Sequence, residues 1–186
     1  MLSNTQKLRI GLVAAAAIAA FALPTPSGAL ANCGGGGITP AAIDICTPTP
    51  KARLLPNGML IPPKSAPARV KAVIAAANKI RTKPYIYGGG HARWWDRGYD
   101  CSGAVSYALH GGDFLDSPMP SGSFSGWGAD GEGRWVTIYT NAGHMYSVIA
   151  GYRWDTSGNE DGTTGPSWHP VSRDHSGFVA RHPLGY

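Results

Sequence analysis

Between residues 70 and 80 the apolar positions recur as Val70, Val73, Ile74, Ala77 and Ile80, the three- and four-residue spacing of one helical face. Pro67 suits a first turn, and Lys83-Pro84 predicts the end, because proline disfavours helix in the residue before it. A second helix is predicted from Asp100 as N-cap to Gly111-Gly112 as terminator. Between the two, "PYIYGGGHARWWDRGY" (84–99) reads as a short strand entering a glycine-rich loop. Further on the period changes. "RWVTIYT" (134–140), "HMYSVIA" (144–150), "YRWDTS" (152–157) and "GFVARH" (177–182) are rich in aromatic and β-branched residues. They read as strands, with turn signals at Asn141-Ala142-Gly143 and Gly151. Residues 113–133 and 157–176 are predicted loops, and no internal repeat is present. Helices first and an antiparallel meander second make the fold class α+β.

The first 66 residues follow neither period. Lys7 and Arg9 precede an apolar run, Ile10 to Leu23, that is shorter than the roughly 20 residues a membrane span needs and ends at Pro24 and Pro26. Ala29-Leu30-Ala31 then has the small-x-small form of a cleavage site, so 1–31 is expected to be a signal peptide cleaved near Ala31. Lipid anchoring at Cys33 is the alternative, and Asn32 before that cysteine disfavours it. No later segment is apolar enough to span a membrane. Residues 32–66 are Gly- and Pro-rich and read as an extended arm or linker, leaving 67–186 as the folded domain. The stretch "LLPNGMLIPP" (54–63) is then available to lie across a cleft in that domain.

The 186-residue chain carries a formal net charge of +5, and Lys7 and Arg9 would leave with the signal peptide. The remaining basic bias suits a polyanionic cell wall and falls short of a nucleic-acid footprint. "GWGADG" (126–131) matches G-x-G-x-x-G, but it follows no strand and opens no helix, so nucleotide binding is not expected. The His and Cys residues lack zinc-ligand spacing, and neither a metal nor an organic cofactor is expected. Nothing in the chain specifies an oligomer, and a monomer is expected.

An exported protein permits disulfides, and Cys33 and Cys46 bracket a glycine-rich loop, "CGGGGITPAAIDIC", that can close into one. Cys101 is then the odd cysteine of three. With Asp100 as N-cap it falls in the first turn of its helix, where unpaired N–H groups and the helix dipole favour a thiolate and can hold an oxyanion. A nucleophile and a buried structural cysteine stand level on this reading, and a partner histidine decides between them.

Of six histidines only His144 begins a strongly patterned strand. His91 sits in the glycine loop and can line a cleft, His110 suits the C-terminal end of the Cys101 helix, and His169, His175 and His182 read as surface residues. A catalytic imidazole needs a third group to orient it. If Ala150-Gly151 is a two-residue turn, residues 149 and 152 pair, and Asp155 shares a face with His144, diagonally and about 7–8 Å away by Cα. A three-residue turn would offer Trp154 or Thr156 instead. The alternative role for Asp155 is a surface pair with Arg153 or Arg134.

"PYIYGGG…GYDCSG" followed by "AGHMYSVIAG" resembles the NlpC/P60 cysteine peptidases, bacterial cell-wall hydrolases with a papain-like core, over roughly residues 67–156. The resemblance implies a papain-like fold, with the nucleophile helix packed on an antiparallel sheet. It implies Cys101 as nucleophile, His144 as base, Tyr85 beside the nucleophile at the substrate or oxyanion site, and Asp100 and Ser102 bordering the cleft. It further implies peptidoglycan stem peptides as substrate, cut from D-γ-glutamate to a diamino acid, in the cell envelope. Many members carry a histidine as third group, whereas this chain offers Asp155. The loops at Arg93-Trp94-Trp95-Asp96 and 113–133 match nothing in the family pattern. The rival functions are a thiol amidase or transferase on the same scaffold, an inactive wall-binding protein, and a disulfide-stabilised structural protein in which Cys101 bonds Cys33 or Cys46.

Overall fold

A computed structural model describes residues 49–159 and 161–186. The expected signal peptide, the lipidation site at Cys33, the Cys33–Cys46 disulfide and the first part of the arm lie outside these residues.

The first helix, α1 (Ala68–Ile80), buries Val70, Val73, Ile74, Ala77 and Ile80 completely, the face its spacing predicts. The second, α2 (Cys101–Gly111), packs against it, with Ala104, Val105, Ala108 and Leu109 buried. Beneath α2 lies a six-stranded sheet, antiparallel throughout, in the order β3-β8-β4-β5-β6-β7. Its strands are β3 (Ala129–Asp130), β4 (Val136–Thr140), β5 (Met145–Ile149), β6 (Tyr152–Asp155), β7 (Ser167–Pro170) and β8 (Val179–His182). Trp154 on β6 donates from Nε1 to the Ala104 carbonyl at 3.1 Å, which ties sheet to helix through the core. The architecture is α+β.

Ala150 and Gly151 both have positive φ, 47° and 81°, and form the two-residue turn between β5 and β6. That turn sets the register Ile149↔Tyr152, Val148↔Arg153, Ser147↔Trp154, so Asp155 emerges on the face that carries Tyr146 and His144.

Four expectations need correction. Residues 84–99 form no strand, only an isolated parallel bridge between Tyr85 and Tyr99. The loop expected at 113–133 contains a 3₁₀ helix (Ser121–Gly126) and β3. The loop expected at 157–176 contains β7, too short and too mixed in composition to announce itself. Pro170 is tolerated there because β7 is an edge strand, and Trp168 is buried against Trp154 with ring centroids 4.8 Å apart. The described part of the arm is not extended. β1 (Arg53–Leu54) and β2 (Leu60–Ile61) pair around a turn at Pro56-Asn57-Gly58, and Leu60 is fully buried. Asn78 of α1 holds Leu60 at both its N–H (3.0 Å) and its carbonyl (2.9 Å), and its Oδ1 also accepts from Trp168 Nε1 (3.0 Å).

Candidate active site

The start of α2 is built by Asp100. Its Oδ1 accepts the Gly103 N–H at 2.7 Å, an N-cap bond, and its Oδ2 accepts the Gly88 N–H at 3.0 Å. The glycine loop therefore lies against the helix start. A Cβ on Gly103 would sit 2.0 Å from the Gly89 carbonyl oxygen, so only glycine admits this approach. Ser102 donates to Asp100 Oδ1 at 3.1 Å, and His91 Nε2 lies 3.0 Å from the same oxygen and 3.1 Å from Ser102 Oγ. Cys101, half-buried and a free thiol, sits at the first helical position. The cap takes the Gly103 N–H, and the N–H groups of Cys101 and Ser102 have no partner within the helix.

Above the thiol is a cavity of about 480 Å³, lined by Tyr85, His91, Asp100, Cys101, Ser102 and Ser121 among others. Tyr85 is 39% exposed, and burial followed by the charges of Cys101 and Asp100 raises its pKa. It stays a hydroxyl donor at neutral pH. None of residues 49–66 lines this cavity, so "LLPNGMLIPP" packs on α1 rather than across the cleft.

His144 immediately precedes β5. Asn141 Oδ1 accepts the N–H groups of Gly143 (2.9 Å) and His144 (2.8 Å), and this turn sets where the ring enters. Nε2 of His144 lies 3.0 Å from Asp155 Oδ1, and Cys101 is near enough to act on the charge of the ring. With Nε2 engaged, Nδ1 is the nitrogen left for the thiol. Burial works against the charged ring, but the bond to Asp155 and the charges of Asp155 and Cys101 outweigh it, and the pKa is raised to about 9. Asp155 is 2% exposed. Burial alone would push its carboxyl up, yet the His144 bond and the positive charges of His144, Arg173 and Arg153 hold it below the usual carboxylate range.

The structure thus places Asp155 on His144 with Cys101 acting on the same ring, and Tyr85, Asp100 and Ser102 line the cavity with the thiol. Asp155 is not a surface carboxylate. It meets Arg153 (3.5 Å), as one alternative proposed, but it meets His144 as well. Two histidines expected at the surface differ, and His110 stands in the last turn of α2 as expected. His169 is buried, and His175 is half-buried, stacked on Tyr139 at 4.1 Å and bonded to the Tyr146 hydroxyl at 2.5 Å. His110 stacks flat on Trp94 at 3.9 Å, and its Nδ1 meets the Leu115 carbonyl at 2.9 Å. Sequence reasoning missed Arg173 and Ser157, the remaining partners of Asp155. Arg173 lies in the segment without periodicity, where no local pattern marks it, and Ser157 closes the stretch "YRWDTS" two residues after Asp155. Among the described residues no group of three His, Cys, Asp or Glu is disposed to hold a metal ion.

No family model matches the chain, and no curated protein does. Among solved structures, the chain is similar to the peptidoglycan hydrolase RipB of Mycobacterium tuberculosis, at 24% identity over 63% of this chain and 66% of RipB, with a TM-score of 0.48. It is similar to Rv1477, a hypothetical invasion protein of the same organism, at 21% identity over 61% of each chain, with a TM-score of 0.46. RipD of that organism, a non-catalytic NlpC/p60 domain protein adapted to peptidoglycan binding, matches at 17% identity over 64% of this chain and all of RipD, with a TM-score of 0.48. The match spans less than two thirds of the length of Rv1477 and of RipB.

Proposed function

We propose that this chain is an NlpC/P60-type cysteine peptidase of the bacterial cell envelope that hydrolyses amide bonds in peptidoglycan stem peptides. The observation that carries this reading is His144 bonded through Nε2 to the buried Asp155 and under the influence of Cys101, with the thiol at a helix N-terminus beside an open cavity. The choice of substrate, and of the D-γ-glutamyl bond to a diamino acid, rests on the motif resemblance.

In this mechanism His144 takes the Cys101 proton, and a pKa of about 9 keeps the ring an imidazolium at neutral pH. The Cys101 sulfur attacks the amide carbonyl and forms the C–S bond. The oxyanion is met by the Cys101 N–H and the Tyr85 hydroxyl. His144 delivers its proton to the leaving amine as the C–N bond breaks. The neutral imidazole then takes a proton from water, whose oxygen attacks the thioester and releases the acid. The thiolate and imidazolium are restored. Asp155 stays ionised throughout and orients the ring.

The test is digestion of purified peptidoglycan, with mass analysis of the released fragments, using the chain and its Cys101→Ala and His144→Ala variants. The expected result is a new free amine on the diamino acid, lost by about 10³-fold or more in either variant. A new amine on alanine would indicate an amidase on the same scaffold. Wall binding without turnover, unchanged by Cys101→Ala, would overturn the enzyme reading in favour of a binding role.

A further inference from the structure

Resting on the reading of Cys101, His144 and Asp155 as one catalytic unit, we propose that Arg173 is a positioning residue for it, holding Asp155 Oδ2 so that the carboxylate stays ionised with Oδ1 on His144. The two oxygens of Asp155 are held by separate sets of donors. Oδ1 meets His144 Nε2 at 3.0 Å and accepts from Ser157 N and Oγ at 3.1 Å each. Oδ2 accepts from Arg173 Nη1 at 2.8 Å and faces Arg153 Nε at 3.5 Å. The distances separate the two arginines. Arg173 makes a charge-assisted hydrogen bond, whereas Arg153 Nε is buried with no hydrogen-bond partner and contributes through its field.

Arg173 is itself fixed from several sides. Its Nη1 also donates to Ser157 Oγ at 2.9 Å, and its guanidinium lies 5.1 Å from the Tyr146 ring centroid and 5.8 Å from that of Phe178. Phe178 in turn stands edge-on to His144, with centroids 6.4 Å apart. One loop, between β7 and β8, therefore grips both partners of the pair. The other ionisable groups around Asp155 are Tyr146 from β5, its partner His175, and Asp174 beside Arg173. Burial pushes the Tyr146 pKa up to about 12, so it stays neutral, and the Asp174 carboxylate accepts from Ser176 N at 2.9 Å and Oγ at 2.6 Å.

The physical need follows from the choice of third group. A histidine or an amide in this position is neutral and needs no counter-charge. A buried carboxylate does, because taking it out of water without a cation favours its protonation, and a protonated Asp155 no longer sustains an imidazolium.

The test uses Arg173→Met and Arg173→Lys, with kcat and KM for the stem-peptide substrate measured from about pH 2 to 9.5. The Asp155 carboxyl is followed in parallel by carbon NMR across the same range. For Arg173→Met, kcat is expected to fall about tenfold with KM nearly constant. The acid limb and the carboxyl midpoint should both move up by about one pH unit. Arg173→Lys should restore much of both. An equal loss at every pH with the carboxyl midpoint in place would reduce Arg173 to a packing residue and overturn the proposal. If the wild-type chain lacks turnover, the enzyme reading fails separately, and the carboxyl titration still decides the part played by Arg173.

Discussion

At the scale of single residues, the pH dependence of the pair follows from which charges face it. The pKa of His144 is raised from 6.5 to about 9. Its contribution to stability is therefore fully present below pH 6.5 and is lost as pH rises through about 9. In the proposed mechanism the same loss of the proton removes the acid that serves the leaving amine, so kcat/KM should decline on that alkaline limb. Asp155 runs the other way. Its carboxyl is held low, so its contribution is present above the ordinary carboxylate pKa and disappears as pH falls through the depressed value. Asp155→Asn keeps an acceptor for Nε2 but deletes the charge, and should move the alkaline limb down by about one pH unit. A kcat/KM profile of that variant with its limb still near 9 would show that Asp155 does not govern His144.

At the scale of elements, the setting of Cys101 depends on how closely the glycine loop meets the start of α2. Ala is a better helix former than Gly by about 1 kcal/mol, so propensity alone favours Gly103→Ala. The opposing effect is larger. The new Cβ would lie 2.0 Å from the Gly89 carbonyl oxygen, which is main chain and has no rotamer to escape into. Overpacking of this kind costs about 1–3 kcal/mol, and the loop would also release the Gly88 N–H from Asp100. Gly103→Ala should therefore unfold at lower urea concentration and alkylate more slowly at Cys101. An equal or higher midpoint would mean that the loop moves aside at little cost.

For the whole molecule, the question is where the folded domain begins. Leu60 is fully buried, and its two backbone polar groups are both satisfied by Asn78, which also anchors Trp168 on the far edge of the sheet. One asparagine on α1 thus joins the N-terminal ribbon, a helix and an edge strand. Leu60→Ala should cost about 2–5 kcal/mol in denaturant unfolding, as for a core leucine. An unchanged midpoint would make the ribbon a detachable arm after all.

What could be read in the chain alone was whatever is encoded over short distances. The face of α1 follows from its period, the cap of α2 from Asp100, and the register of Asp155 from a two-residue turn, because each depends on residues within a few positions. The pairing of His144 with Asp155 was legible for the same reason: strand alternation carries it across one turn. Arg173 approaches Asp155 from 18 residues away, Trp168 reaches Asn78 across 90, and the Leu60 ribbon closes on α1 across 18. These contacts leave no periodic trace, since an isolated arginine in a loop or a two-residue strand has the same local pattern whether it is buried or free. Sequence determined where Cys101, His144 and Asp155 stand in their elements, and that His144 and Asp155 share a face. Only the tertiary structure decided how the carboxylate behind the histidine is held and charged, because that depends on burial and on cations delivered by a distant loop.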